Sequence, residues 1–139
     1  MSEMTALQLN VDKWRNSGIE SYWLSLSYIG SEFNRIGDHT ITVVDGILYH
    51  QSYDESWRKI NIGSDFWLFS VIGTFVWARD FLEKVLPEKG GDEDVFELDF
   101  GDEGYIKHMR VHMASRDVNN LDLDVRSFGR GAHPSFTPE

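Results

Sequence analysis

SVIGTFVWARDFLEKVL, residues 70–86, holds the clearest helical period in the chain and lies at its middle. At about 100° per residue, Val71, Ile72, Phe75, Ala78, Leu82, Val85 and Leu86 share one apolar stripe roughly 140° wide. A stripe of that width needs a surface to cover. Ser70 is placed to cap the start, Pro87 to stop the helix and Gly90-Gly91 to turn the chain away. The flanking sequence alternates apolar and polar residues at strand period, so the pattern predicts a helix laid on a sheet.

Upstream, Met4, Leu7, Val11 and Trp14 recur at helical intervals over Thr5 to Ser17, with Thr5 and Gln8 spaced as a capping box and Gly18 as the stop. Tyr22, Leu24, Leu26 and Tyr28 then alternate with Trp23, Ser25 and Ser27, the period of a half-buried strand over Glu20 to Ile29. Gly30 to Gly37 reads as a loop. His39 to Val44 and Ile47 to Ser52 flank Asp45-Gly46, a strong hairpin signal. Tyr53 to Asp65 has no sustained period and reads as an ordered loop, with Ile60 and Ile62 available for a short strand.

Downstream, Glu88 to Asp94 reads as a solvated turn. Val95 to Phe100 alternates, and Gly101 to Gly104 reverses the chain into a strand over Tyr105 to Ala114. In that strand Lys107, Met109, Val111 and Met113 are expected to oppose Ile106, His108, Arg110 and His112. Leu121, Leu123 and Val125 alternate with Asp122 and Asp124 in a last strand, and residues 130–139 read as a flexible tail. The expected fold is α+β in one domain: two helices and a mostly antiparallel sheet of five or six strands, in the order α-β-β-β-α-β-β-β.

Trp14 with Gly18-Ile19 and Tyr22, then Thr42-Val43-Val44-Asp45-Gly46, then the central helix, then Gly104-Tyr105 occur in this order. Over roughly Trp14 to Phe128 the chain resembles an uncharacterised bacterial family of small α+β domains, many of them in exported or lipid-anchored proteins. That family usually follows Gly-Tyr with proline, where this chain has Ile106. The resemblance implies an α+β fold and carries no catalytic residue to this chain.

Composition narrows the function classes. At 139 residues with 41% hydrophobic content, the chain is long enough for a single core. Thirteen basic against 23 acidic residues give a formal charge of -10, which repels nucleic acid and anionic membranes at long range. The absence of cysteine excludes disulfides, thiolate nucleophiles and Cys-ligated zinc. No apolar run reaches the roughly 20 residues of a membrane span. Met1 leads into polar Ser2-Glu3 without a signal-peptide pattern, so a cytoplasmic, soluble protein is expected.

Chemical motifs are weak. His108 and His112 would share a metal on a helix, but on a strand they stand about 13 Å apart, beyond joint coordination. Asp99, Asp102 and Glu103 lack the residue order of a calcium loop and fit a polar hairpin turn. Neither Gly-x-Ser-x-Gly nor a phosphate loop is present. No cofactor or metal is therefore expected.

What stands out is 14% aromatic content. Tyr53, Trp57, Arg58 and Trp67 follow the hairpin without periodicity, where a scaffold presents binding residues. The expected function is a non-enzymatic binding or protein-interaction module, one that neutralises a basic partner in the manner of toxin-neutralising immunity proteins. The alternative is a small hydrolase or ligand-binding enzyme, its site between helix and sheet, with His50 or His108 as acid or base.

Overall fold

Helix α1 (Glu3–Asn16) is followed by β1 (Tyr22–Gly30), β2 (Gly37–Val44), β3 (Ile47–Gln51) and β4 (Trp57–Lys59). A 3₁₀ helix (Asp65–Phe69) leads into α2 (Val71–Asp80) and a π turn (Phe81–Val85), and β5 (Val95–Phe100), β6 (Ile106–His112) and β7 (Leu121–Arg130) complete the order. The structure, a computed structural model, describes residues 2–30, 36–61, 63–85, 95–112 and 120–137. The expectations for Leu86, Pro87, the Glu88 to Asp94 turn, Ile62, Met113 and most of the Gly30 to Gly37 loop lie outside these residues.

The fold is α+β, and its strands form one antiparallel sheet in the order β4-β3-β2-β1-β7-β6-β5. Seven strands replace the expected five or six. The additional one is β4, which pairs Tyr49 with Lys59 and Gln51 with Trp57 along β3 and forms one edge of the sheet. Three residues are too few to show a period, which is why the sequence there reads as loop. Ile60 extends the pairing by donating its N–H to the Leu48 carbonyl at 2.9 Å.

One sheet face carries both helices. Tyr22, Leu24, Leu26 and Tyr28 of β1 are buried against them, as are Ile41, Leu48, Met109, Val111, Leu123 and Val125 from the neighbouring strands. The Asp45-Gly46 turn joins β2 and β3 with positive φ at both residues, 51° and 80°, the geometry whose twist matches a tight hairpin. Two bulges adjust the face. At Asp99/Phe100, β5 pairs with His108 and then Ile106, leaving Lys107 as the extra residue. Ile106 is therefore buried and Lys107 exposed, the reverse of the simple alternation expected from sequence.

The helices also depart from expectation in detail. Ser2, not Thr5, caps α1, its hydroxyl accepting the Thr5 N–H at 3.2 Å. Ser70 caps α2 as expected, accepting the Gly73 N–H at 2.9 Å and donating to the Trp67 carbonyl at 2.8 Å. Within the stripe Val71, Phe75, Ala78 and Leu82 are buried, but Ile72 is 52% exposed. At about 100° per residue it occupies the stripe's outermost edge, where the sheet no longer reaches it. Among the described residues no helix is long and apolar enough to cross a membrane.

The start of α2 is tied to the sheet by one bond. The Tyr22 hydroxyl, buried in β1, accepts the Val71 N–H at 2.9 Å, satisfying a donor that has no partner within the helix. Burial pushes Tyr22 above the ordinary tyrosine range. The neutral phenol is then the form favoured by folding, so its contribution is complete below about pH 10 and is lost as pH rises above that value. Tyr22→Phe should lower stability by about 1 to 3 kcal/mol in denaturant melts, because it buries an unsatisfied amide. It should also flatten the decline in melting temperature above pH 10.

Candidate functional site

Three surfaces carry residues in arrangements that the fold alone does not require. The first is the sheet face opposite the helices. Antiparallel registry places Asp38, Ser27, Asp124, His108 and Asp99 in one row across β2, β1, β7, β6 and β5. A cleft of about 600 Å³ lies over this row, reaching Asp122 and Lys107. His108 is held on both sides, Nδ1 at 3.5 Å from Asp99 and Nε2 at 3.0 Å from Asp122. Each nitrogen already faces a carboxylate, so neither is directed at a substrate. Ser27 stands two strands from His108, about 9.5 Å at sheet spacing, so the two cannot form a nucleophile and base pair. His112 points outward four residues along β6, and among the described residues no group of three metal-ligating side chains is arranged to hold an ion.

His50 lies on the helix-bearing face. Its Nε2 is 2.8 Å from His39 Nδ1, one ring donating and the other accepting. Phe66 of the 3₁₀ helix sits 4.3 Å from the His50 ring, and Phe69 stacks on His39 at 4.5 Å. The pair is thus packed beneath the 3₁₀ helix.

The second surface is the outer side of the 3₁₀ helix and α2. Ser64 caps the first, accepting the Phe66 N–H at 3.3 Å, and Ser70 joins it to the second. Trp67 is oriented by its indole N–H, which donates to the Asn61 carbonyl at 2.8 Å. Trp77 stacks on Phe81 at 5.3 Å, and Phe81 in turn on Phe96 of β5 at 5.1 Å. Between the two indoles runs an apolar groove of about 430 Å³, floored by Leu68 and Gly73 and walled by Ile72 and Val76. Val76 is 56% exposed. Asp65 and Asp80, both exposed, stand on its rim.

The third surface is formed by residues 131–137, which read as tail in the sequence and here fold back over the open sheet face. His133 lies between Trp23 and Trp57, and Phe136 between Tyr49 and Trp57.

The four residues singled out from sequence do not form one site. Trp67 lines the α2 groove. Tyr53 is fully exposed in the β3–β4 turn, which an Asp54–Ser56 bond closes; that bond holds the Asp54 carboxyl below the usual carboxylate range. Trp57 and Arg58, neighbours on β4, point to opposite faces, Trp57 under residues 133–136 and Arg58 beside His50. Ile72 escapes sequence reading because the period that identifies a helix also counts its edge residues as core, and Val76 because it falls just outside the stripe. Comparison of the chain with family models, curated proteins and solved structures gives no match.

The groove depends on close approach of the two helices at Gly73. A Cβ there would run into the Trp67 carbonyl oxygen that Ser70 also contacts. Gly73→Ala should cost about 1 to 3 kcal/mol by overpacking and weaken the near-ultraviolet dichroism of the tryptophans; an unchanged signal would contradict this.

Proposed function

We propose that this chain is a non-enzymatic protein-interaction module that captures a basic partner through the outer face of α2. The observation that carries the reading is the groove between Trp67 and Trp77, where two β-branched side chains, Ile72 and Val76, are more than half exposed side by side. Contiguous exposed apolar surface rimmed by charge is the usual mark of an interaction site, and paired tryptophans supply anchoring area at low entropic loss. Asp65 and Asp80 on the rim, and the net charge of -10, favour a partner that brings cationic side chains around an apolar core.

The alternative of a small hydrolase rests on His108 in its cleft. Two carboxylates already engage both ring nitrogens of His108, and the His50 Nε2 is hydrogen-bonded to His39 Nδ1, so the histidines support structure better than proton transfer. The likeness to the bacterial family of small α+β domains belongs to this reading as an expectation about fold, and it assigns no residue a role.

An amphipathic helical peptide with leucines on one face and lysines on the other serves as probe, with a glutamate-for-lysine peptide as control. Titration followed by tryptophan emission should show binding of the lysine peptide, weakening with salt, and at least tenfold weaker binding of the control. Ile72→Glu with Val76→Glu should abolish binding while changing stability by no more than about 0.5 kcal/mol per site, as for exposed positions generally. Equal binding of both peptides, or binding indifferent to the two substitutions, would contradict the proposal.

A further inference from the structure

We infer that the aromatic shelf of Trp23, Tyr49 and Trp57 on the open sheet face is a recognition site for an uncharged peptide turn carrying two rings three residues apart, closed in this chain by its own residues 131–137. The shelf belongs to the sheet. Antiparallel pairing puts Trp23 opposite Gly129, and only a residue without Cβ leaves room there for the indole to lie flat across β7. Pairing of β2 with β3 and of β3 with β4 brings Tyr49 and Trp57 to the same face. Between them Thr42 is fully buried, its hydroxyl donating to the Tyr22 carbonyl at 3.0 Å and presenting its lone pair outward.

Residues 131–137 meet this shelf as a ligand would. The His133 N–H donates to the Thr42 hydroxyl at 3.0 Å, and the Trp57 indole N–H donates to the Ser135 carbonyl at 3.3 Å. The His133 ring enters between the two tryptophans, 4.8 Å from Trp23 and 5.4 Å from Trp57, and Phe136 sits 4.7 Å from Tyr49. Pro134 occupies the second position of a tight turn closed by the Phe136 N–H to the His133 carbonyl at 2.8 Å. Ala132, Pro134 and Ser135 remain exposed. The segment is thus attached by two rings and a few hydrogen bonds rather than by a strand ladder, the pattern of a unit that opens locally. Apart from the histidine it carries no titratable side chain, so the complementary ligand is an uncharged turn.

The closure is sensitive to protonation for a geometric reason. His133 Nδ1 accepts the Ser135 backbone N–H at 3.1 Å. An amide N–H can only donate, so the closed turn requires an unprotonated Nδ1, and an imidazolium would set two donors against each other. Burial among the rings also lowers the His133 pKa, in the same direction. Among the described residues, Trp23, Thr42, Trp57 and Ser135 are the groups that meet His133, and the charged side chains on this face of the adjoining strands are Lys59, two residues from Trp57, and Asp38, four residues from Thr42 and paired with Arg126, with Asp45 and Asp54 in the β2–β3 and β3–β4 turns. Closure is therefore complete above the ordinary histidine value of about 6.5 and is lost as pH falls below it.

The probe is a labelled synthetic peptide with the sequence of residues 131–137, followed by fluorescence anisotropy at pH 7.5. The full chain carrying His133→Ala and Phe136→Ala, its own closure disabled, should bind the peptide at least tenfold more tightly than the unaltered chain. Adding Trp57→Ala should remove that binding. A disabled chain that binds no better than the unaltered one, or binding that survives Trp57→Ala, would overturn the inference. The unaltered chain gives a second readout that needs no variant to fold. On acidification from pH 7.5 to 5 the Trp57 indole N–H resonance should move as its bond to the Ser135 carbonyl opens, and a resonance that stays fixed would equally overturn it.

Discussion

Tyr22 and three further rings hold the two layers of this protein together. Trp14 of α1 meets Tyr22 edge-on at 5.2 Å, Phe128 of β7 lies beside both, and Tyr105, at the start of β6, stacks on Phe128 at 4.5 Å. The Tyr22 hydroxyl then reaches the first amide of α2. One cluster thus joins both helices to the middle of the sheet and to the β5–β6 hairpin. Each ring buried there stabilises the fold by roughly 1.5 to 3 kcal/mol through apolar burial, and edge-to-face and stacked contacts add to it. Trp14, Tyr22, Tyr105 and Phe128 come from four different parts of the chain, and they meet at this point.

With the helices fixed on one face, the remaining surfaces are set by subtraction. The stripe of α2 is wider than the part of the sheet it covers, so its edge residue Ile72 and the neighbouring Val76 emerge between the indoles of Trp67 and Trp77. The opposite sheet face divides in two. Residues 131–137 cover the end built from β1 to β4, and a row of carboxylates around His108 occupies the end built from β5 to β7. Two contacts within the sheet engage part of that row: His108 lies between Asp99 and Asp122, and Arg126 stands 3.5 Å from Asp38.

Much of this architecture is legible in the sequence where the signal is local. The alternation of Tyr22 to Tyr28, the Asp45-Gly46 turn and the Ser70 cap are all set by residues within a few positions of one another, and each forms as its chemistry dictates. The parts that sequence reading misses depend on distant partners. β4 exists because β3 offers it an edge to pair with, Lys107 is the extra residue of a bulge seen only in the pairing with β5, and residues 131–137 are ordered by rings contributed from three strands. The same limit applies to the candidate site. Aromatic content and position picked out Trp67, but the period of α2 could not separate side chains at the edge of its stripe from those at its centre.

On the proposed function, the outer face of α2 receives the partner and the acidic sheet face opposite does not. Amide chemical-shift mapping with a lysine-bearing amphipathic helical peptide tests this most directly, because both surfaces are acidic and both would attract such a peptide at long range. Shifts should concentrate in residues 63–80, with the Trp67 and Trp77 indole resonances among the largest, and the row from Asp38 to Asp99 should stay quiet. A footprint centred on Asp99, His108 and Asp122, with residues 63–80 unperturbed, would contradict it.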